Sequence, residues 1–289
     1  MQTHPLNEKA QEAFKYIESL WYCPIYIGLY GSQNYWLDIY DDDYTSDVDW
    51  KCIILPTLDD LISNSKPVST VIQFEWWQID LKDIRSFVDS VVKCNVNFLE
   101  ILTTEYYYSR YEEFPLRKYV AWLMKEMWQL YLKACFGMMR EKEKALRHPY
   151  PTTLPRLEKF WYDPKQFHHI ARLHILMQRY IDCANKDFIW NIASFYHFWW
   201  EKEMLINIKK GEIRNEDVDK QVELLMLSAF KLRNSYTTPM EFTTKEEMIK
   251  SAQDLIRNEI IWAIHSTKQW KTSETPPSQS DSVNAAETQ

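Results

Sequence analysis

The chain lacks several features that would have fixed its class at a glance. Its five cysteines, Cys23, Cys52, Cys94, Cys135 and Cys183, show no C-x-x-C spacing. An odd, scattered set argues against a disulfide frame or a zinc site, and for reduced thiols in a cytoplasmic protein. Positive charge is not in excess: 34 Lys and Arg stand against 41 Asp and Glu, a net charge of −7. That excludes a protein whose main task is gripping nucleic acid by its phosphates, although a local basic groove remains compatible with it. Long apolar runs are missing too. The aromatic stretch from Phe188 to Trp200 is broken by Asn191 and His197 and falls short of the roughly 20 residues a bilayer span needs. The first twenty residues are polar and helix-like, without the apolar centre of a secretory signal. Glycine is scarcest of all, with 4 residues against 13 tryptophans, where ordinary usage would be near ~7% of the chain.

Hydrophobic residues make up 46% of the 289, enough for one large core or two ordinary ones. Their spacing divides the chain. Asn7 to Leu20 reads as a helix, and Pro24 to Tyr30 as a β-branched and aromatic strand ending at Gly31. A short helix follows Ser32, then an acidic loop from Asp38 to Ser46. Asp47 to Leu55 reads as a second strand stopped by Pro56. Pro56 to Asn64 gives a short helix, Val68 to Leu81 a third strand region, and Asp83 to Lys93 a helix. Asn97 to Leu102 continues as helix or turn. From Pro115 the pattern turns helical: Leu116 to Leu146, Pro164 to Ala184, Phe188 to Lys209, Val218 to Asn234 and Thr244 to Thr267. Strands first and helices afterwards predict an α+β fold, a small head at about 1–110 followed by a helical domain at 111–270. The polar tail from 271 to 289 has the composition of a disordered segment.

Two features inside the head carry chemistry. Gly31-Ser32 leaves a strand, and glycine lets backbone amides approach a phosphate, with the Ser32 hydroxyl as a further donor. Asp47 and Asp49 stand one residue apart, so on a strand they share a face. Two adjacent carboxylates repel unless a cation lies between them. Magnesium suits such a pair because it takes oxygen ligands and completes its shell with water and substrate phosphates. Lys51 shares that face and would balance its charge. Asp41 to Asp43 read as a solvated acidic loop. Further on, Lys165, His169 and Arg172 fall at i, i+4 and i+7, one face of a helix that could meet a phosphate. The basic stretch from Arg140 to Lys159 is interleaved with Glu141, Glu143 and Glu158 and says little about RNA.

Taken together, G-S-x-N-Y-x-L and S-D-x-D resemble the DNA polymerase β-type nucleotidyltransferase superfamily. The likeness is to its bacterial and phage branch of predicted nucleotidyltransferases, which includes polymerase-β-like proteins of RNA repair. It continues in Lys93, Asn95, Asn97 and Glu100, and again in Tyr162, Asp163, Lys165, His169 and Arg172, covering about Tyr26 to Tyr180. The resemblance implies a small mixed sheet flanked by helices. It also implies transfer of a nucleoside monophosphate from an NTP such as ATP to an acceptor, with two magnesium ions on three carboxylates. Asp47 and Asp49 match the first two carboxylates. For the third, Asp80 is the first choice, Glu75 lies on the same stretch, and Asp83 reads as the cap of the next helix. Gly31, Ser32, Lys165, His169 and Arg172 would contact the nucleotide, and Asp80 would assist deprotonation of the acceptor hydroxyl. The acceptor is open: an RNA 3′ end, a protein hydroxyl or a small molecule. A catalytically silent nucleotide- or partner-binding module is the alternative, and a metal-dependent nuclease a weaker one, against which the Gly-Ser turn argues.

The pattern is broken twice in one way. Trp36 stands where the family has glycine in G-S-x-N-Y-G-L, and Trp161 where glycine precedes Y-D-x-K. In a chain short of glycine and rich in tryptophan, this implies UGA codons translated as Trp where the source organism inserts glycine. UGG codons at 36 and 161 would contradict that reading.

Overall fold

The structure, a computed structural model, describes residues 5–41, 44–75, 77–111, 114, 117, 128–184, 198–234, 250, 253–254 and 257–258. The first helix, α1 (Pro5–Ser19), begins on a proline, which suits the first helical turn, and buries Ala10, Ala13, Phe14 and Ile17. That i, i+3, i+4, i+7 stripe lies on one face of a five-stranded sheet. The sheet comprises β1 (Cys23–Tyr30), β4 (Asp49–Leu55), β5 (Ser69–Phe74), β6 (Trp77–Asp83) and β7 (Tyr107–Ser109), in the order β5-β6-β4-β1-β7. Only β4 and β6 run parallel, and the other neighbours are antiparallel. A two-stranded ribbon, β2 (Tyr40–Asp41) with β3 (Tyr44–Thr45), lies in the acidic loop.

Alternation decides what each face of the sheet carries. Trp50, Cys52 and Ile54 of β4 and Trp77, Ile79 and Leu81 of β6 turn toward α1 and form one core layer with Ile27 and Leu29. Asp49 and Lys51 of β4 and Gln78, Asp80 and Lys82 of β6 therefore turn the other way. On that second side the sheet packs, through Ile25, Tyr26, Ile53 and Leu55, against the helices. These include α3 (Ile84–Val92), α4 (Val96–Thr103), α5 (Trp128–Ala145), α7 (Pro164–Ala184), α8 (Trp199–Lys210) and α9 (Asn215–Asn234); the short α2 (Leu58–Ile62) follows β4, and α6 (Leu154–Phe160) precedes α7. Head and helical region share this second core, which runs from Ile25 to Ala229. The expected α+β architecture is therefore present. The helix expected at 244–267 falls mostly, and the polar tail wholly, outside the described residues, as do residues 112, 113 and 115 of the expected junction at 107–115.

Backbone geometry bears on the glycine deficit. Trp21, Trp36 and Trp161 have φ of 68°, 61° and 66°, the left-handed region that disfavours side chains with a Cβ. All three stand at helix C-termini, after α1, after the 3₁₀ turn Ser32–Tyr35 and after α6, and all are exposed, at 63%, 60% and 73%. Glycine is the usual occupant of that position, and Gly211 (φ 78°) occupies it at the end of α8. By contrast, Trp50 and Trp77 are buried in strands at 0% and 4% exposure.

Candidate functional site

The site forms where β1 ends and β4 begins. β1 stops at Tyr30, paired with Asp49, because Gly31 turns the chain at φ 82°, ψ −160° into the turn Ser32–Tyr35. Non-glycine residues are not accommodated at those angles, and a Cβ at Gly31 would lie 3.1 Å from Asp49 Oδ2. The Gly31 turn thus lies close against Asp49.

Asp47 departs from the expected strand. β4 begins at Asp49, since β1 has already turned away and offers 47 and 48 no partner. The alternation nevertheless persists: Ser46 and Val48 are buried, Asp47 is exposed and Asp49 half-buried. Ser46 anchors the approach, donating its N–H to Ile39 O and accepting the Ile39 N–H at Oγ. Burial, and then repulsion from Asp47, raise the Asp49 pKa above the usual carboxylate value, while Lys165, Lys51 and Lys209 oppose the rise.

Those three lysines define the electrostatics. Lys165, at the start of α7, was expected from sequence. Lys209 was not: it reaches back from the last turn of α8, donating to Leu37 O at 3.0 Å and Ser46 Oγ at 3.1 Å. Burial, then the neighbouring Lys165, bring its pKa down to about 8 against the pull of Asp38, Asp47 and Asp49. No local pattern marks it, because 44 residues of chain separate it from Lys165. Lys51 lies between the rings of Tyr30 and Phe98, 4.0 and 5.2 Å from their centres. It is bonded to Asp80, directly opposite it in the parallel β4–β6 register, at 2.6 Å.

Asp80 thus occupies the neighbouring strand, as expected for a third carboxylate, but both of its oxygens face ammonium groups, the second being Lys82 at 3.5 Å. Glu75 sits at the β5–β6 turn beside Lys9 of α1, on the far side of the sheet. Asp83 caps α3 through Arg85 N–H and pairs with the Arg85 guanidinium. A depression of about 250 Å³ opens beside Asp80, lined by Tyr30, Ser69, Val71, Gln78 and Lys82 among others.

The remaining motif residues hold the site together. Arg172 is buried and bonded to Glu100 at 2.8 Å, with its guanidinium 4.5 Å above the Tyr35 ring. Three sequence blocks far apart in the chain thereby meet in one clasp that fixes the Ser32–Tyr35 turn to α4 and α7. Asp163 caps α7 at Lys165 N–H and receives Arg156 through both oxygens. Tyr162 donates to Ile213 O, and Asn95 caps α4. Because both members of the Arg172–Glu100 pair are buried, Arg172→Met is expected to cost about 3–5 kcal/mol, read by chemical denaturation.

His169 lies beside His168, with ring centres 5.7 Å apart. Burial, then His168, hold its pKa well below the usual value. His168 is buried against Leu205 O, and burial lowers its pKa from 6.5 to about 3. The unfolded chain takes up that proton below about pH 6.5 and the folded one does not. Stability from this residue is therefore complete above about pH 6.5 and falls toward pH 3, by up to about 1.4 kcal/mol per pH unit. Melting scans between pH 4 and 7 are expected to show a shallower slope in His168→Gln.

Among the described residues, no three His, Cys, Asp or Glu side chains converge as a metal-holding group. The pair Asp47 and Asp49 still fits magnesium, which commonly takes one or two carboxylates and completes its shell with substrate phosphates. The three-carboxylate set is not formed, because Asp80 is held by lysines. No described helix is long and apolar enough to cross a membrane.

Among solved structures, the chain is similar to the crystal structure of a nucleotidyltransferase-like protein from Exiguobacterium sibiricum 255-15. Identity is 11%, over 88% of this chain and 90% of that one, with a TM-score of 0.29. No protein-family profile matches the chain, and no curated protein matches it.

Proposed function

We propose that the protein is a nucleotidyltransferase that moves a nucleoside monophosphate from an NTP to a hydroxyl acceptor and releases pyrophosphate. The observation that carries this reading is the contact between Gly31 and Asp49, flanked by Asp47 and by lysines from two distant helices. An acidic pair beside a glycine turn suits a magnesium-bound triphosphate, and Lys165 and Lys209 supply the charge for its outer phosphates. Asp47 and Asp49 would hold the ion, which when bound neutralises phosphate charge and orients the triphosphate.

In the transfer, the acceptor oxygen forms a bond to the α-phosphorus as the bond from that phosphorus to the pyrophosphate oxygen breaks. The hydroxyl proton goes to a carboxylate. Asp80, the residue expected for this step, is engaged by Lys51 and Lys82. Asp49, set against the Gly31 turn, takes the role instead. The acceptor approaches along the depression beside Asp80. Arg172 acts at a distance, positioning the Ser32–Tyr35 turn.

The test is pyrophosphate release from each of the four NTPs with Mg²⁺ against RNA, protein and small-molecule acceptors. Release with one acceptor class supports the reading. Nucleotide binding with no release across all of them favours a silent binding module of the same architecture.

A further inference from the structure

The resemblance implies two divalent ions, and the arrangement around Asp80 argues for one. On β4, Lys51 stands two residues beyond Asp49 and on the same face. The parallel register sets it opposite Asp80, and its Nζ lies 2.6 Å from Asp80 Oδ2. Lys82 covers the other oxygen at 3.5 Å. The Lys51 side chain is only 8% exposed and is walled by the rings of Tyr30 and Phe98.

An ion bound to Asp80 would have to take that carboxylate from Lys51. The ammonium would then be left buried between two rings without its counter-charge, which is strongly unfavourable. It would also stand within a few ångströms of a divalent ion, where repulsion in a partly buried site is large. Asp47 is exposed and Asp49 half-buried, and among the described residues neither carries a lysine bonded to its carboxylate as Asp80 does.

We propose that the Lys51 ammonium takes the place of the second cation, so that the site holds a single divalent ion, on Asp47 and Asp49. This rests on the nucleotidyltransferase reading of the same site. Lys51 supplies a fixed positive charge beside the reacting phosphate, and Asp80 serves to hold it there as a positioning residue.

Mn²⁺ titrated alone, with free ion followed by its paramagnetic resonance signal, reads the stoichiometry directly. The wild-type chain is expected to bind one Mn²⁺, Asp47→Ala none, and Lys51→Met two, the pair giving a spin-coupled spectrum. Two ions in the wild type, or none, would overturn the proposal, as would one ion in folded Lys51→Met. Should Lys51→Met fail to fold, Asp80→Asn decides: one ion retained supports a site independent of Asp80, and loss of the ion overturns it. Pyrophosphate release with two ions bound sinks the single-ion proposal and leaves the transfer reading intact. One ion bound with no transfer does the reverse.

Discussion

Trp21→Gly, Trp36→Gly and Trp161→Gly, combined in one chain, are expected to raise stability by about 2 kcal/mol, or about 4–8 °C in Tm. Each tryptophan holds a left-handed backbone that costs a residue with a Cβ about 1–2 kcal/mol. Glycine returns roughly 0.5–1 kcal/mol of that as greater freedom of the unfolded chain. The side chains are exposed, so their removal loses little packing. The same change at Trp50 or Trp77 is expected to act in the opposite direction, destabilising by about 3–5 kcal/mol, because those rings fill the layer beneath α1. This split gives the codon hypothesis a sharper form than the family pattern alone. UGA is expected at 21, 36 and 161, and UGG at 50 and 77, with glycine found by peptide mass spectrometry at the first three in protein from the source organism. UGG at all five positions would mean that the tryptophans are genuine and the strain is real.

The second large effect is expected at Asp49. Asp49→Asn keeps the shape of the side chain but removes the charge that the proposed ion and acceptor proton would require. Nucleotidyl transfer should fall on the order of 10³-fold or more. Stability should move the other way. Because burial and Asp47 raise the pKa of Asp49, its ionised form opposes folding at neutral pH, and a neutral amide removes that opposition. A variant that is inactive yet no less stable than wild type, by denaturant titration, marks a residue kept for chemistry. Loss of stability in Asp49→Asn would assign it to architecture.

Much of the architecture was legible because it is written locally. The alternation in β6 and the apolar spacing of α7 need no distant partner to be read, and α7 spans Pro164–Ala184 as the spacing predicts. What escaped was decided by pairing. Asp47 lies outside β4 because β1 turns at Gly31, a fact about a different segment. Asp80 was placed on the right strand, but its lysine partner follows from the parallel register, which no single stretch encodes. Lys209 reaches the site only through the packing of α8. Glu100 and Arg172 were singled out as motif residues, while their mutual bond, which makes them a structural clasp, emerges only when α4 meets α7.

The central claim is that this site breaks an NTP between its α and β phosphates. Parallel reactions with α-labelled and γ-labelled NTP, Mg²⁺ and the acceptor panel test it most directly. The account predicts that the α label becomes attached to an acceptor while the γ label leaves as pyrophosphate, and that both signals vanish in Asp47→Ala and Asp49→Asn. Transfer of the γ label, or α-label transfer that survives both substitutions, would contradict it.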